Sequence, residues 1–215
     1  MDHKAANLER FKELASVWDE DPQRVRMAQG VAESMLAALS PSGSERALEF
    51  GAGTGAVTLV MAPRLGHVVA MDASPDMLSF LERKCEKAAL GSVEIVEGAV
   101  PDELPGGTFD LIYSSMTLHH VEDVPGLFDA LARHMKPGGR VALADLDAED
   151  GSFHGDGHGV AHHGFSRASV KAWLEAAGFE EITLSDAFKV RREGEGGATR
   201  EYPIFLAVAT WPRRA

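Results

Sequence analysis

Three observations predict an α/β protein built on a mostly parallel sheet. Short apolar runs alternate with amphipathic stretches from residue 46 to 147, which reads as strand, helix, strand in repeated succession. The first of these runs breaks at Glu49-Phe50-Gly51-Ala52-Gly53-Thr54-Gly55, a glycine-rich turn of the kind that joins a buried strand to a helix. Two β-like runs, 179–190 and 201–210, close the chain, and their short connection requires them to be antiparallel.

Each element follows from its local pattern. In residues 1–45, Leu8, Phe11, Leu14 and Ala15 recur at helical spacing, and Val25 to Leu39 is a second amphipathic stretch stopped by Ser40-Pro41-Ser42-Gly43. This predicts an N-terminal helical segment over 1–45 and an α/β domain over 46–215. Ala47, Leu48 and Phe50 mark a strand at 46–50, and a helix is expected over 54–64. His67 to Asp72 is a strand ending in an acid; Ser74 suits a helix N-cap and Pro75 the first helical position of 75–88. Strands follow at 92–96, 108–114 and 139–147, with a helix at 123–135. Residues 148–165 are rich in Gly and His and read as a loop; a helix at 166–177 precedes the final strands, joined by a turn from Glu193 to Gly197. No internal repeat interrupts this order.

Composition narrows the function. The chain has 215 residues and a formal charge of −12, with 33 acidic side chains against 21 Lys and Arg. Such a field repels phosphate backbones, so no nucleic-acid partner is expected. The paired arginines Arg191, Arg192, Arg213 and Arg214 are too dispersed to form a basic patch. The longest apolar run, Ile204 to Trp211, is far short of a bilayer span, and no secretory leader pattern opens the sequence. Cys85 is the single cysteine, which points to a reducing, cytoplasmic setting.

A glycine turn after a strand offers backbone N–H groups to an anionic or nucleotide-like ligand. Two cofactors satisfy it. Gly51, Gly53 and Ala56 fit the dinucleotide pattern G-x-G-x-x-G/A, with Asp72 about twenty residues on as a ribose-binding acid. The same turn with Glu49 reads ExGxGxG, and this form resembles motif I of the class I S-adenosylmethionine-dependent methyltransferases. Three further stretches resemble that family in its order: His67 to Asp72, Gly107 to Ser114 followed by Leu118-His119-His120-Val121, and LARHMKPGGRVAL from Leu131 to Leu143. The general look is of the ubiquinone/menaquinone-biosynthesis-like branch.

The resemblance implies a Rossmann-like seven-stranded sheet of order 3-2-1-4-5-7-6, its last strand antiparallel, with helices on both faces and an N-terminal helical lid. It implies S-adenosyl-L-methionine as cofactor, S-adenosyl-L-homocysteine as product, and a small-molecule acceptor methylated at O, N or C. Glu49, Gly51, Ala52, Gly53, Thr54 and Gly55 would cradle the methionyl and ribose region, and Asp72 would take the ribose hydroxyls. Ala73 and Met77 would border the adenine, and Ser114 and Ser115 would line the floor. Many members carry Gly-Asp-Ala after strand 3, whereas this chain has Glu97-Gly98-Ala99-Val100, so the adenine is expected beside Gly98, met by backbone atoms of Ala99 and Val100 or by Glu97. Trp18 and Arg24 resemble a stretch folded over the cofactor, with Arg24 facing the methionyl carboxylate. A nicotinamide-dependent oxidoreductase and a non-catalytic cofactor-binding member of the fold remain the alternative readings.

Histidines supply the candidate chemistry. His119 and His120 follow the fourth strand and are candidate general bases. His154, His158, His162 and His163 recur near spacings of four, yet the interleaved glycines oppose a helix there, and no thiolate or carboxylate set completes a site; no metal is expected. His119, His163 and Tyr202 are the expected walls of a substrate pocket.

Overall fold

The computed structural model describes residues 9, 11–154, 159–193 and 199–213. Leu8, Gly155, Gly157, His158, the turn predicted at 194–197 and Arg214 lie outside the described residues. Seven strands form one sheet: β1 (Arg46–Phe50), β2 (His67–Asp72), β3 (Val93–Glu97), β4 (Phe109–Ser115), β5 (Met135–Leu146), β6 (Glu180–Glu193) and β7 (Thr199–Thr210). Their order is β3-β2-β1-β4-β5-β7-β6. The first five run parallel, and β7 is antiparallel to both β5 and β6, as expected.

Helices pack on both faces of the sheet, among them α1 (Pro22–Leu39), α2 (Thr58–Met61), α3 (Pro75–Lys87), α4 (Val124–Arg133) and α5 (Arg167–Ala176). Alternate residues of each strand serve opposite layers. Ala47, Val68 and Ala70 pack with Val31, Met35 and Leu39 of α1 and Leu81 of α3, while Leu48, Val69 and Met71 pack with Leu127 and Leu131 of α4 and Leu174 of α5. Burying each such Leu or Met side chain contributes about 2 kcal/mol. α1 lies against β6 and β7. Its Gly30 explains how closely: a Cβ there would come within 2.5 Å of the Phe188 ring.

The two largest boundary differences from expectation lie after the glycine turn and at β5, while β6 and β7 each extend two or three residues further toward their connection. The helix after the glycine turn begins at Thr58, not 54, and passes into a 3-10 turn at Ala62–Arg64, because positive φ angles at Gly53 and Gly55 preclude an earlier start. Strand β5 begins at Met135 rather than 139, and α4 ends at Arg133, because Met135 already pairs with Phe109 before a register shift leads to the pair Leu111–Arg140. Caps agree with the sequence: Ser74 Oγ accepts from Met77 N–H at 3.3 Å, with Pro75 opening α3. Asp21 caps α1 by accepting from Gln23 N–H at 2.8 Å. Within residues 1–45, helical turns at 11–14 and a 3-10 turn at Trp18–Glu20 precede α1.

Candidate functional site

The carboxyl ends of β1 and β2 meet at the glycine turn. Gly51, Gly53 and Gly55 all have positive φ, at 68°, 55° and 83°. A Cβ on Gly51 would lie 2.1 Å from Thr117 Oγ1, whereas one on Gly53 would meet nothing within 4 Å. Gly51 is thus required by packing, and Gly53 borders open space. Asp72 shapes that space: its Oδ2 accepts from Gly53 N–H at 2.8 Å and its Oδ1 from Ser74 N–H at 2.9 Å. Each oxygen keeps lone-pair capacity for a ligand hydroxyl. Burial raises the Asp72 carboxyl above its ordinary range against the pull of those two donors.

Glu49 lies at the heart of the turn, 2% exposed, with its Oε2 accepting from Tyr113 O–H at 3.0 Å. Burial pushes its carboxyl up to about 7, opposed by the Thr58 and Tyr113 hydroxyls and aided by the charge of Asp72. The folded value lies above the unfolded one, so the folded state binds the extra proton between pH 4.5 and about 7. Stability of the unliganded protein is therefore expected to fall as pH rises through this window, by up to about 3 kcal/mol from this group. Urea titrations from pH 5 to 8 should show the decline, flattened in Glu49→Gln; an unchanged slope in that variant would exclude Glu49 as its source.

The N-terminal segment is tied to the turn through Asp19 and Lys84. Asp19 Oδ1 accepts from Thr54 Oγ1 at 2.8 Å, and Lys84 Nζ donates to Thr54 O at 2.8 Å while pairing with Asp19. Trp18 and Arg24 sit beside this contact, with the Arg24 guanidinium 4.3 Å over the Trp18 ring and 3.5 Å from Asp21. Only the three-dimensional approach of α3 reveals Lys84.

The remaining expected cofactor residues line the same edge. Ser114 Oγ donates to Phe50 O at 2.7 Å, locking the end of β4 to that of β1, and Ser115 is half-buried beside it. Ala73 precedes the N-cap of α3, and Met77 is buried in its first turn. Gly98 N–H donates to Asp72 O at 3.0 Å. The Ala99 N–H already donates to Glu103 Oε2 at 2.8 Å, so Glu103 holds that loop; Val100 is half-buried next to it.

Across the cleft, His119 is buried, with its Nδ1 2.7 Å from Asp145 Oδ1. Asp145 is wholly buried, and its Oδ2 accepts from His119 N–H at 3.3 Å and its Oδ1 from Leu146 N–H at 2.7 Å. Burial works to raise its carboxyl, but His119 and these donors outweigh it and hold it below the ordinary range. The signal was present in the sequence as one acid within the apolar run Val141 to Leu146. His120 Nδ1 lies 2.7 Å from Gly159 O. The His154 ring lies tilted at 42° against His119, with ring centroids 4.7 Å apart. Tyr202 is buried with its hydroxyl 2.8 Å from Ser152 Oγ, and His163 is half-exposed, 3.7 Å from Glu149 Oε1. His162 Nε2 lies 2.9 Å from Val121 O, and no group of metal-ligating side chains exists among the described residues. Nor is any helix among them long and apolar enough to cross a membrane.

Fold and turn define a doubly wound α/β protein whose open glycine cradle and strand-end acid suit an adenosine-bearing cofactor. A family profile described as a methyltransferase domain matches residues 48–143. An uncharacterized methyltransferase of Schizosaccharomyces pombe is 27% identical over 75% of this chain and 69% of its own length. Phosphoethanolamine N-methyltransferase 1 of Arabidopsis thaliana is 32% identical over 66% of this chain, which spans only 30% of that relative. Among solved structures, phosphoethanolamine N-methyltransferase 2 of Haemonchus contortus in complex with S-adenosyl-L-methionine superposes with a TM-score of 0.70 at 16% identity, covering 94% of this chain and 60% of that one. The chain resembles the class I S-adenosylmethionine-dependent methyltransferases in its matched segment and in its strand order.

Proposed function

We propose that this protein methylates a small-molecule acceptor at an O, N or C atom, using S-adenosyl-L-methionine. The observation that carries this reading is the open space over Gly53 beside an Asp72 carboxylate with unused acceptor capacity. The bound cofactor supplies an electrophilic sulfonium methyl, so the protein has chiefly to align a nucleophile and exclude water. Asp72 accepts the ribose hydroxyls, and the turn from Gly51 to Gly55 with Glu49 holds the methionyl side. Ala73, Met77 and Gly98 to Val100 border the adenine, and Ser114 and Ser115 form the floor under the methionyl group. Trp18 and the segment pinned by Asp19 act as the lid.

On the acceptor side, His119 takes a proton at Nε2 while Asp145 holds the proton at Nδ1, and His163 and Tyr202 wall the pocket. Methyltransferases of phosphoethanolamine among the relatives support an acceptor of this size. A reducing, cytoplasmic setting accords with the single buried thiol of Cys85.

Calorimetry with S-adenosylhomocysteine tests the cofactor site. Binding is expected in the micromolar range, weakened about 100-fold in Asp72→Ala through loss of two hydrogen bonds to a charged acceptor. Absent binding by folded protein, or equal binding by the variant, would overturn the reading.

A further inference from the structure

The N-terminus of α1 and the end of β6 are joined where Gln23 Nε2 donates to Arg191 O. Their neighbours are Arg24 and Arg192. Each guanidinium stands over an aromatic ring, Arg24 4.3 Å from the Trp18 centroid and Arg192 4.0 Å from that of Phe153. From each ring a series of aromatic contacts leads to the same imidazole. One runs Trp18–Phe11 at 5.6 Å, Phe11–His120 at 5.4 Å and His120–His119 at 4.2 Å. The other runs Phe153–His154 at 4.8 Å and His154–His119 at 4.7 Å. Two aromatic arms therefore diverge from His119, and each carries a cation at its far end.

Those cations are incompletely neutralised. Arg192 donates to the neutral carbonyl of Phe153, and among the described residues no carboxylate lies within 4.0 Å of it. Arg24 has a single 3.5 Å contact with Asp21 rather than a two-pronged pair. Burial lowers the affinity of Arg192 for its proton, Tyr202, Asp21 and Glu149 oppose that, and the charge of Arg24 adds to it. Arg200, the third cation on this rim, is already bound to Asp150 at 2.8 Å. Two guanidinium forks held within reach of each other's field, with donors to spare, are stabilised together by an anion between them.

Building on the proposed methyl transfer, we infer that Arg24 and Arg192 seat an anionic group of the acceptor, a carboxylate or a phosphate, so that this enzyme methylates acidic small molecules. The aromatic arms flank the rest of the acceptor between that seat and His119.

The test titrates the protein saturated with S-adenosylhomocysteine with inorganic phosphate and, separately, with acetate, by calorimetry. Wild type is expected to bind one of them with a millimolar constant, and Arg192→Gln and Arg24→Gln to weaken it about tenfold each. S-adenosylhomocysteine affinity of Arg192→Gln should stay within about twofold, which also reports an intact fold. Three results overturn the inference: a wild-type complex that takes up neither anion, anion binding indifferent to both substitutions, or a tenfold loss of S-adenosylhomocysteine affinity in Arg192→Gln, which would give the guanidiniums to the cofactor's own carboxylate. Failure of wild type to bind S-adenosylhomocysteine at all strikes the underlying reading instead, and this inference with it.

Discussion

Asp145→Asn is expected to lower kcat by about 100-fold or more while S-adenosylhomocysteine still binds with wild-type affinity. The buried carboxylate presents Oδ1 to His119 Nδ1 at 2.7 Å and takes backbone donors from His119 and Leu146. An acceptor at that point keeps the imidazole proton on Nδ1 and leaves the lone pair on Nε2 for the incoming nucleophile. Asparagine fills the same volume but can turn its NH₂ toward the ring, which favours the opposite tautomer. His119→Ala should lose a similar factor. Added imidazole separates catalysis from packing: it should restore part of the kcat lost in His119→Ala and leave Asp145→Asn unchanged. Should kcat of both variants match wild type with a saturating acceptor, His119 is a packing residue.

The glycine turn yields the second large effect, because two of its glycines are required for different reasons. In Gly51→Ala the new Cβ meets Thr117 Oγ1 at 2.1 Å in a backbone with φ of 68°. Left-handed strain and overpacking together should cost about 2–5 kcal/mol, a fall in Tm of roughly 5–15 °C for a chain of this size. Gly53→Ala carries the φ strain alone, at about 1 kcal/mol, since nothing stands within 4 Å of its Cβ. Its folding should be nearly normal and its S-adenosylhomocysteine binding largely lost, because the methyl group then stands in the ligand's space. Differential scanning calorimetry and ligand titration on the two variants measure both quantities. A Gly53→Ala protein that binds like wild type would show that the cradle lies elsewhere.

What the sequence disclosed and what it withheld divide along the range of the interactions. β1 and β2 were legible to within a residue because each is a short apolar run ended by an acid or a glycine, and the caps at Ser74 and Pro75 are local signals. The start of β5 at Met135 was not, since it depends on pairing with Phe109 across a register shift. Glu49, the glycines and Asp72 could be found by pattern and do converge at one edge. Asp19, Lys84, Glu103 and Asp145 could not be found that way, because each acts through a partner at least four residues away, and in three cases more than twenty. Asp145 alone left a trace, as a carboxylate where an apolar strand centre has no ordinary use for one.

The reversal of β7 has a consequence for how such an enzyme can diversify. With β7 antiparallel to both neighbours, β6 runs in the same direction as β5, so Arg192 near its end and Tyr202 near the start of β7 share one rim with the tips of β1 and β2. The residues proposed to hold the adenosyl group belong to strands at the opposite half of the sheet. Selection acting on this terminal hairpin can therefore exchange one clientele of acceptors for another without disturbing the part of the molecule that every turnover shares.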